Sequence, residues 1–380
     1  MLKKGLLNFC CICKIELIDY NLAMYIIGIT FAKNEYLYYM INLISDTVTK
    51  PCAAMLSAMM KADVGDDVFR EDPTVNALEI KVVEMFGMEA ALYCPSGTMT
   101  NQLAIKTHTQ PMDEMICENL SHVYRSENGG YALHSGIAVD TVSGQNGKIT
   151  AAQIASLIKP AYDWQPKTRL VVLENTTNFG GGNYYSIEEI KPIRELCTER
   201  GLSLHLDGAR LFNALVETGD TTSDFGAIFD SISICLSKGL GAPVGSLLIG
   251  NQEFISRARR FRKAFGGGMR QAGFLAAAGI FALDNNIERL RDDHANARLL
   301  GETLGQMAYV ENVKPVKTNI VIFDVKLPWT SAKFVELLAQ RGIKSAAFGP
   351  QTVRFVTHLD VNRAMIEKVV AELKAIGDEV

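Results

Sequence analysis

The 380-residue sequence has no Walker-type phosphate loop and no G-x-G-x-x-G fingerprint, so the two commonest nucleotide cradles are absent. It has no charge excess of either sign worth the name: 38 Lys and Arg against 42 Asp and Glu leave a formal net charge of −4. That balance gives no electrostatic footprint for nucleic acid. It lacks an apolar run long enough to span a bilayer, since Leu22–Ala32 is closed off by Lys33 and Glu35. The eight cysteines are too sparse for a disulfide-stapled scaffold. Cys10-Cys11-x-Cys13 has no second Cys or His pair at zinc spacing, so no metal site is expected, and the remaining thiols read as buried and free in a reducing cytoplasm. Internal repeats, low-complexity tracts and Pro-rich linkers are also missing.

What is present is a globular composition. Hydrophobic residues make up 48% of the chain, enough apolar surface to offset the entropy of ordering it. Many of the 31 glycines fall in short clusters, where turns are tight or backbone approaches a ligand. Residues 1–39 differ from the rest. Lys3, Lys4 and Lys14 ahead of an apolar stretch faintly resemble a secretory signal, but Glu16 and Asp19 argue against one. Met40 is a second plausible start. Residues 1–39 are therefore expected to be an extension outside the catalytic fold.

From residue 74 onward, helical and strand periods alternate. Helices are expected over Thr74–Phe86, Met99–Lys106 and Ile187–Arg200, the last stopped by Gly201. Strands are expected at Ala90–Tyr93, Met115–Cys117, Leu170–Leu173, Leu202–Leu206, Ser231–Leu236 and Val244–Ile249. The alternation implies an α/β fold with a mostly parallel sheet flanked by helices. One long helix is expected over Ala276–Leu304, with Arg289, Arg291, Asp292 and Asp293 on a solvated face. Ile320–Val325, Ser331–Arg341 and Val353–Thr357 then suggest a small α+β unit. The expected division is a large domain over 40–285 and a small C-terminal domain over 286–380.

Polar residues collect where strands stop, which is where ligands bind in such sheets. Asp207 ends one strand and Lys238 follows another. A carboxylate and a lysine facing one pocket suit pyridoxal phosphate: the acid keeps the pyridine nitrogen protonated, and the amine condenses with the aldehyde. Pro95-Ser96-Gly97-Thr98 lies at a strand-to-helix junction, where free amides can take a phosphate. His122 stands near another strand end and could stack on a pyridine ring.

The ordered set of these segments resembles the threonine aldolases, pyridoxal-phosphate enzymes of the aspartate-aminotransferase-like fold (fold type I). The likeness spans nearly all of 40–380. It rests on Ser45-Asp46-Thr47-Val48-Thr49, Gly65-Asp66-Asp67-Val68, Glu71-Asp72-Pro73-Thr74, Pro95–Met99, Glu174-Asn175-Thr176, His205–Arg210, Ser237–Ser246, Gly266–Gln271 and Arg354–His358. The resemblance implies a lyase that splits L-threonine or L-allo-threonine into glycine and acetaldehyde with pyridoxal 5'-phosphate, in threonine breakdown and glycine supply. Other chemistry on the same cofactor (racemisation, β-elimination, transamination) and a non-enzymatic interaction protein are the competing readings.

By resemblance, Lys238 holds the cofactor, Asp207 pairs with its ring nitrogen, His122 stacks on the ring, and Ser96, Gly97 and Thr98 bind the phosphate. Arg270 is expected to reach the phosphate of a neighbouring subunit. Ser45, Arg210 and Arg354 are expected to clamp the substrate carboxylate, Arg210 also adjoining the cofactor. The partners implied are a small amino-acid substrate and further copies of the chain, as a cytoplasmic homotetramer of two tight dimers, with no nucleic acid and no membrane. One departure stands out: Thr177 occupies the place where many relatives carry a histidine near the substrate hydroxyl, and a hydroxyl cannot act there as imidazole does near neutral pH.

Overall fold

Seven strands make the central sheet: β1 (Ala90–Cys94), β2 (Asp113–Glu118), β3 (Ala138–Val142), β4 (Lys167–Glu174), β5 (Ser203–Gly208), β6 (Ser231–Cys235) and β7 (Ser246–Gly250). The computed structural model describes residues 40–379. The extension, the faint signal and the Cys10–Cys13 cluster lie outside the described residues. The sheet order is β1-β7-β6-β5-β4-β2-β3. All pairs from β6 to β3 are parallel, and only β7 runs against its neighbours. Strands β2, β6 and β7 are buried at every position, as a sheet covered on both faces requires. The mostly parallel α/β architecture is as expected.

The helices around the sheet are set by their ends. Those of eight residues or more are α1 (Ala53–Met60), α2 (Pro73–Phe86), α3 (Gly97–His108), α4 (Ile187–Arg200), α5 (Leu211–Thr218), α6 (Gln252–Ala264), α7 (Gly273–Asn285) and α8 (Leu290–Leu304). Asp72 caps α2 by accepting from the Val75 amide, Pro73 fills the first turn, and Gly87 ends it in the left-handed region. Val75, Leu78, Val82 and Phe86 form its buried stripe, each contributing about 1.5–3 kcal/mol of burial. A Ser186–Glu189 capping box opens α4 and left-handed Gly201 closes it, on the expected boundaries.

The expected helix over Ala276–Leu304 is instead two helices. Asn286 ends α7, and its side-chain amide donates to the Leu240 carbonyl at 2.7 Å, so the turn is spent on anchoring the loop that follows Lys238. The solvated face is also only partly so. Asp293 is fully buried against Arg289, its acid held by that guanidinium at 2.9 Å, while Arg291 and Asp292 are exposed.

After α8 come β8 (Val310–Val313), β9 (Ile320–Val325), β10 (Ala346–Ala347) and β11 (Thr352–Val356), an antiparallel sheet of order β10-β11-β9-β8, with α9 (Ser331–Gln340) and α10 (Arg363–Glu379). Asn42–Val380 pack as one compact unit. Its opening segment joins the small sheet: Leu43 donates to the Lys344 carbonyl and accepts from the Val356 amide. Among the described residues no helix is long and apolar enough to cross a membrane.

Candidate active site

The C-terminal ends of β5 and β6 and the first turn of α3 enclose one pocket, lined by Ser96, Gly97, Thr98, Asn101, His122, Asp207, Ala209, Cys235, Ser237 and Lys238. The predicted acid, lysine, histidine and phosphate-type turn thus converge. A larger cavity lies elsewhere among the described residues, between α2 and α6, and has no lysine, histidine or cysteine in its wall.

Asp207 ends β5, buried, and accepts from the Asn101 side-chain amide at 2.9 Å and the Ala209 backbone amide at 3.2 Å. Lys238 lies in the loop after β6, its carbonyl tied by Thr49 and Gly241. His122 opens a short helical turn. Its backbone amide donates to Glu174 at 2.6 Å, and its Nδ1 meets Glu127 at 2.8 Å. Burial alone would lower the His122 pKa, but the Glu127 hydrogen bond and the Asp207 charge hold it above its ordinary value. Glu174 ends β4 and accepts from the His122 and Asn178 amides, each at 2.6 Å. Burial, reinforced by Asp207, pushes its acid up to about 7.

A second group of residues gathers on the segment Ile44–Asp46. Ser45 caps the short turn Asp46–Val48 by accepting from the Thr47 amide. Arg210 places Nε and Nη2 on the two oxygens of Asp46. Burial works to raise the Asp46 acid, yet the Arg210 guanidinium holds it well below the usual carboxylate range. Arg354 donates to the Ile44 carbonyl at 3.1 Å and to Asn178 Oδ1 at 3.0 Å, and lies over the Phe348 ring. Burial and the nearby Arg210 cation pull its pKa below the ordinary arginine value. Two guanidinium groups in a partly dry setting suit a carboxylate.

Two predicted positions sit apart. Arg270 is more than half exposed, pairs with Asp66 at 2.8 Å, and does not line the pocket of its own chain. Thr177 is buried, and its hydroxyl donates to the Asn146 carbonyl at 2.9 Å, so it closes a loop. Sequence reasoning gave no role to Asp46, Asn101, Glu127, Glu174 or Asn178. Asp46 and Glu174 stand inside motifs already quoted and Asn101 two residues past one, whereas nothing in Ser126-Glu127-Asn128 marks Glu127 as the partner of two site residues.

The sheet order, the small C-terminal sheet and the strand-end pocket define the fold of the fold type I pyridoxal-phosphate enzymes. The structure of Leishmania major threonine aldolase superposes with a TM-score of 0.77 over 88% of this chain and 99% of that one, at 22% identity. Sphingomonas wittichii serine palmitoyltransferase gives 0.71 over 90% and 88%, at 17% identity. The profile of the beta-eliminating lyase family matches residues 42–328. The low specificity L-threonine aldolase of Escherichia coli strain K12 is 43% identical over 337 residues, 88% of this chain and 99% of its own. Low-specificity L-threonine aldolase 1 of Arabidopsis thaliana is 40% identical over 325 residues, 84% and 91% of the two chains. The chain belongs to the threonine aldolases, within the beta-eliminating lyase family.

The pocket fits pyridoxal phosphate. A Cβ on Gly97 would stand 2.5 Å from Cys235 Sγ, so glycine is what lets the first turn of α3 approach the end of β6. The Gly97 and Thr98 amides have no acceptor inside the helix, which is the property a phosphate uses, while the Met99 amide is taken by Ser96 Oγ. A buried acid for a protonated ring nitrogen and a lysine for an aldehyde complete the donor set.

Proposed function

We propose that the protein cleaves the Cα–Cβ bond of L-threonine and L-allo-threonine, giving glycine and acetaldehyde. The observation that carries this reading is Lys238, Asp207 and the start of α3 on one pocket, in a chain whose relatives at 40–43% identity are named threonine aldolases. When bound, pyridoxal phosphate supplies a ring that accepts the electrons left at Cα as the bond to Cβ breaks. Lys238 would hold it covalently, Asp207 would meet its ring nitrogen, His122 would lie against the ring, and Ser96, Gly97 and Thr98 would take the phosphate.

Ser45, Arg210 and Arg354 would bind the substrate carboxylate and so fix which bond at Cα is aligned for cleavage. His122 Nε2 would accept the β-hydroxyl proton. With Nδ1 on buried Glu127, the cation formed would be stabilised by that acid. Thr177 offers no titratable group for the task, and its hydroxyl is already committed to Asn146.

Arg270, exposed on its own chain, would reach a neighbouring subunit's phosphate, which makes the assembly at least a dimer, and a homotetramer as two tight dimers. We place the boundary between the large and small domains at 285/286. Four buried free thiols, Cys94, Cys117, Cys197 and Cys235, support a reducing, cytoplasmic setting, where the reaction would break down threonine and supply glycine.

The test is aldehyde release from L-threonine and from L-allo-threonine, each followed by coupling to an alcohol dehydrogenase with NADH. Acetaldehyde from either isomer, and none from Lys238→Ala, is the expected result. Cofactor-loaded protein that releases none would move the assignment to another reaction at Cα.

A further inference from the structure

Behind Asp207 runs a file of hydrogen bonds that the chemistry above does not use. Asn101 Nδ2 is 2.9 Å from Asp207 Oδ2 and 2.9 Å from Glu127 Oε1. Asn101 Oδ1 is 3.3 Å from His205 Nε2. His205 Nδ1 is 2.8 Å from Ser231 Oγ and 3.1 Å from the Ser231 carbonyl. Ser231 Oγ is in turn 2.8 Å from His108 Nε2. His205 and Ser231 are fully buried and Asn101 nearly so.

The directions of these bonds follow from which atoms can donate. Carboxylates only accept, so the Asn101 nitrogen faces Asp207 and Glu127 and its oxygen faces His205. That oxygen only accepts, so His205 carries its proton on Nε2. Nδ1 is then an acceptor, so the Ser231 hydroxyl donates to it and receives the His108 Nε2 proton in turn. Burial pulls both imidazoles down to about 3, so each ring carries the single proton this order needs.

We propose that His205 is a positioning residue for Asp207: its Nε2 proton locks the Asn101 amide, and Asn101 on Oδ2, with the Ala209 amide on Oδ1, fixes the carboxylate that would meet the cofactor's ring nitrogen. The inference rests on the reading of Asp207 given above. The Ser231 carbonyl, 3.1 Å from His205 Nδ1, offers a competing arrangement. With its proton on Nδ1, His205 would donate to the Ser231 carbonyl and turn a bare Nε2 toward Asn101 Oδ1, so that the amide would lose its third hydrogen bond and be pushed off Asp207 by lone-pair repulsion. The Asn101 oxygen selects against that tautomer, and the Ser231 hydroxyl supports the choice by donating to the Nδ1 that would otherwise face only a carbonyl.

The experiment uses holoenzyme loaded with pyridoxal phosphate labelled with nitrogen-15 in the ring, whose NMR shift reports ring-nitrogen protonation, alongside kcat and KM. The variants are His205→Phe, His205→Gln, Ser231→Ala and Asp207→Asn. Glutamine can place a donor where Nε2 was, so His205→Gln keeps the wild-type shift. His205→Phe and Ser231→Ala move it toward the unprotonated value, with kcat down roughly tenfold or more, the scale on which outer-shell partners act. KM for threonine stays within about twofold, since ground-state binding is untouched. A folded His205→Phe with wild-type shift and kcat overturns the proposal, and Ser231→Ala decides in the same way if the phenylalanine variant does not fold. Asp207→Asn separates the two levels. If it leaves the shift unmoved, the reading of Asp207 has failed. If it alone moves the shift, only the role of His205 has.

Discussion

Asp46 takes two arms of the Arg210 guanidinium, at 2.8 and 2.7 Å, with both side chains buried. The fork that the sequence assigns to the substrate carboxylate is thus already half engaged, and only Nη1 stays clear of Asp46. The pair orients Arg210 at the cost of sharing it, and Asn319 adds a third contact at 3.2 Å to the same carboxylate.

Replacing Asp46 by Asn should leave a buried cation without its counter-charge, which costs about 3–5 kcal/mol. KM for threonine should rise at least about tenfold, since an unheld fork loses its geometry. The acid side of the stability curve should change too. Asp46 titrates below its ordinary value, so its contribution is whole above the unfolded pKa near 4 and is lost as pH falls below it. Urea midpoints of Asp46→Asn between about pH 5 and pH 3 should therefore fall less steeply than those of the wild type.

Arg354 bonds the Ile44 carbonyl and Asn178 and covers the Phe348 ring, so its position depends on a planar head group. Arg354→Lys keeps the charge and loses the plane. Steady-state kinetics should show KM raised roughly tenfold with kcat changed less. Equal falls in kcat and kcat/KM would instead place Arg354 in contact with the transition state alone.

Glu174 gives a dependence of the opposite sign. Its folded pKa is raised to about 7, so the stability it contributes is whole below about pH 4.5 and is lost as pH rises through 7. Glu174→Gln removes that titration and leaves one of the two backbone amides without an acceptor. The variant should be less stable than the wild type at pH 5, and the gap should narrow by up to about 3 kcal/mol by pH 8. Chemical unfolding at the two pH values measures it, and a gap of constant size would show that Glu174 does not titrate in this range.

Gly97→Ala should weaken cofactor binding, because the added Cβ meets Cys235 Sγ at 2.5 Å and the first turn of α3 must back away. Cys235→Ala removes that sulfur. The double variant should recover part of the affinity lost in Gly97→Ala, with cofactor fluorescence titration as the readout. Additive losses would mean that the two residues do not share the space.

The elements foreseen in the sequence are those whose signals are local. Ile187–Arg200 carries a capping box at one end and a left-handed glycine at the other, and nothing distant competes with either. Strands such as Leu170–Leu173 announce themselves as unbroken aliphatic runs. The edge strand Ala138–Val142 was invisible because it is half exposed and has no such run. The helix break at Asn286 was hidden because its cause is the Leu240 carbonyl, 46 residues away. The site divides in the same way. Lys238 and Asp207 are legible as residue types at strand ends. The neighbours that set their geometry, Asn101, Glu127 and Asp46, act through contacts that only folding creates.

Leu43 is hydrogen-bonded to Lys344 and Val356, and His358 to the carbonyl of Asn42, while Asp46 three residues after Leu43 holds Arg210. On a ribosome adding about 5–20 residues per second, the segment that carries Ser45 and Asp46 leaves the exit tunnel tens of seconds before the strand that receives it is made. The first part of this unit to be synthesised is therefore among the last to be seated. The segment that carries Ser45 and Asp46 is docked only once β11 has been made, and a chain truncated before β11 keeps its lysine and its acid but has no dock for the segment that arranges Arg210.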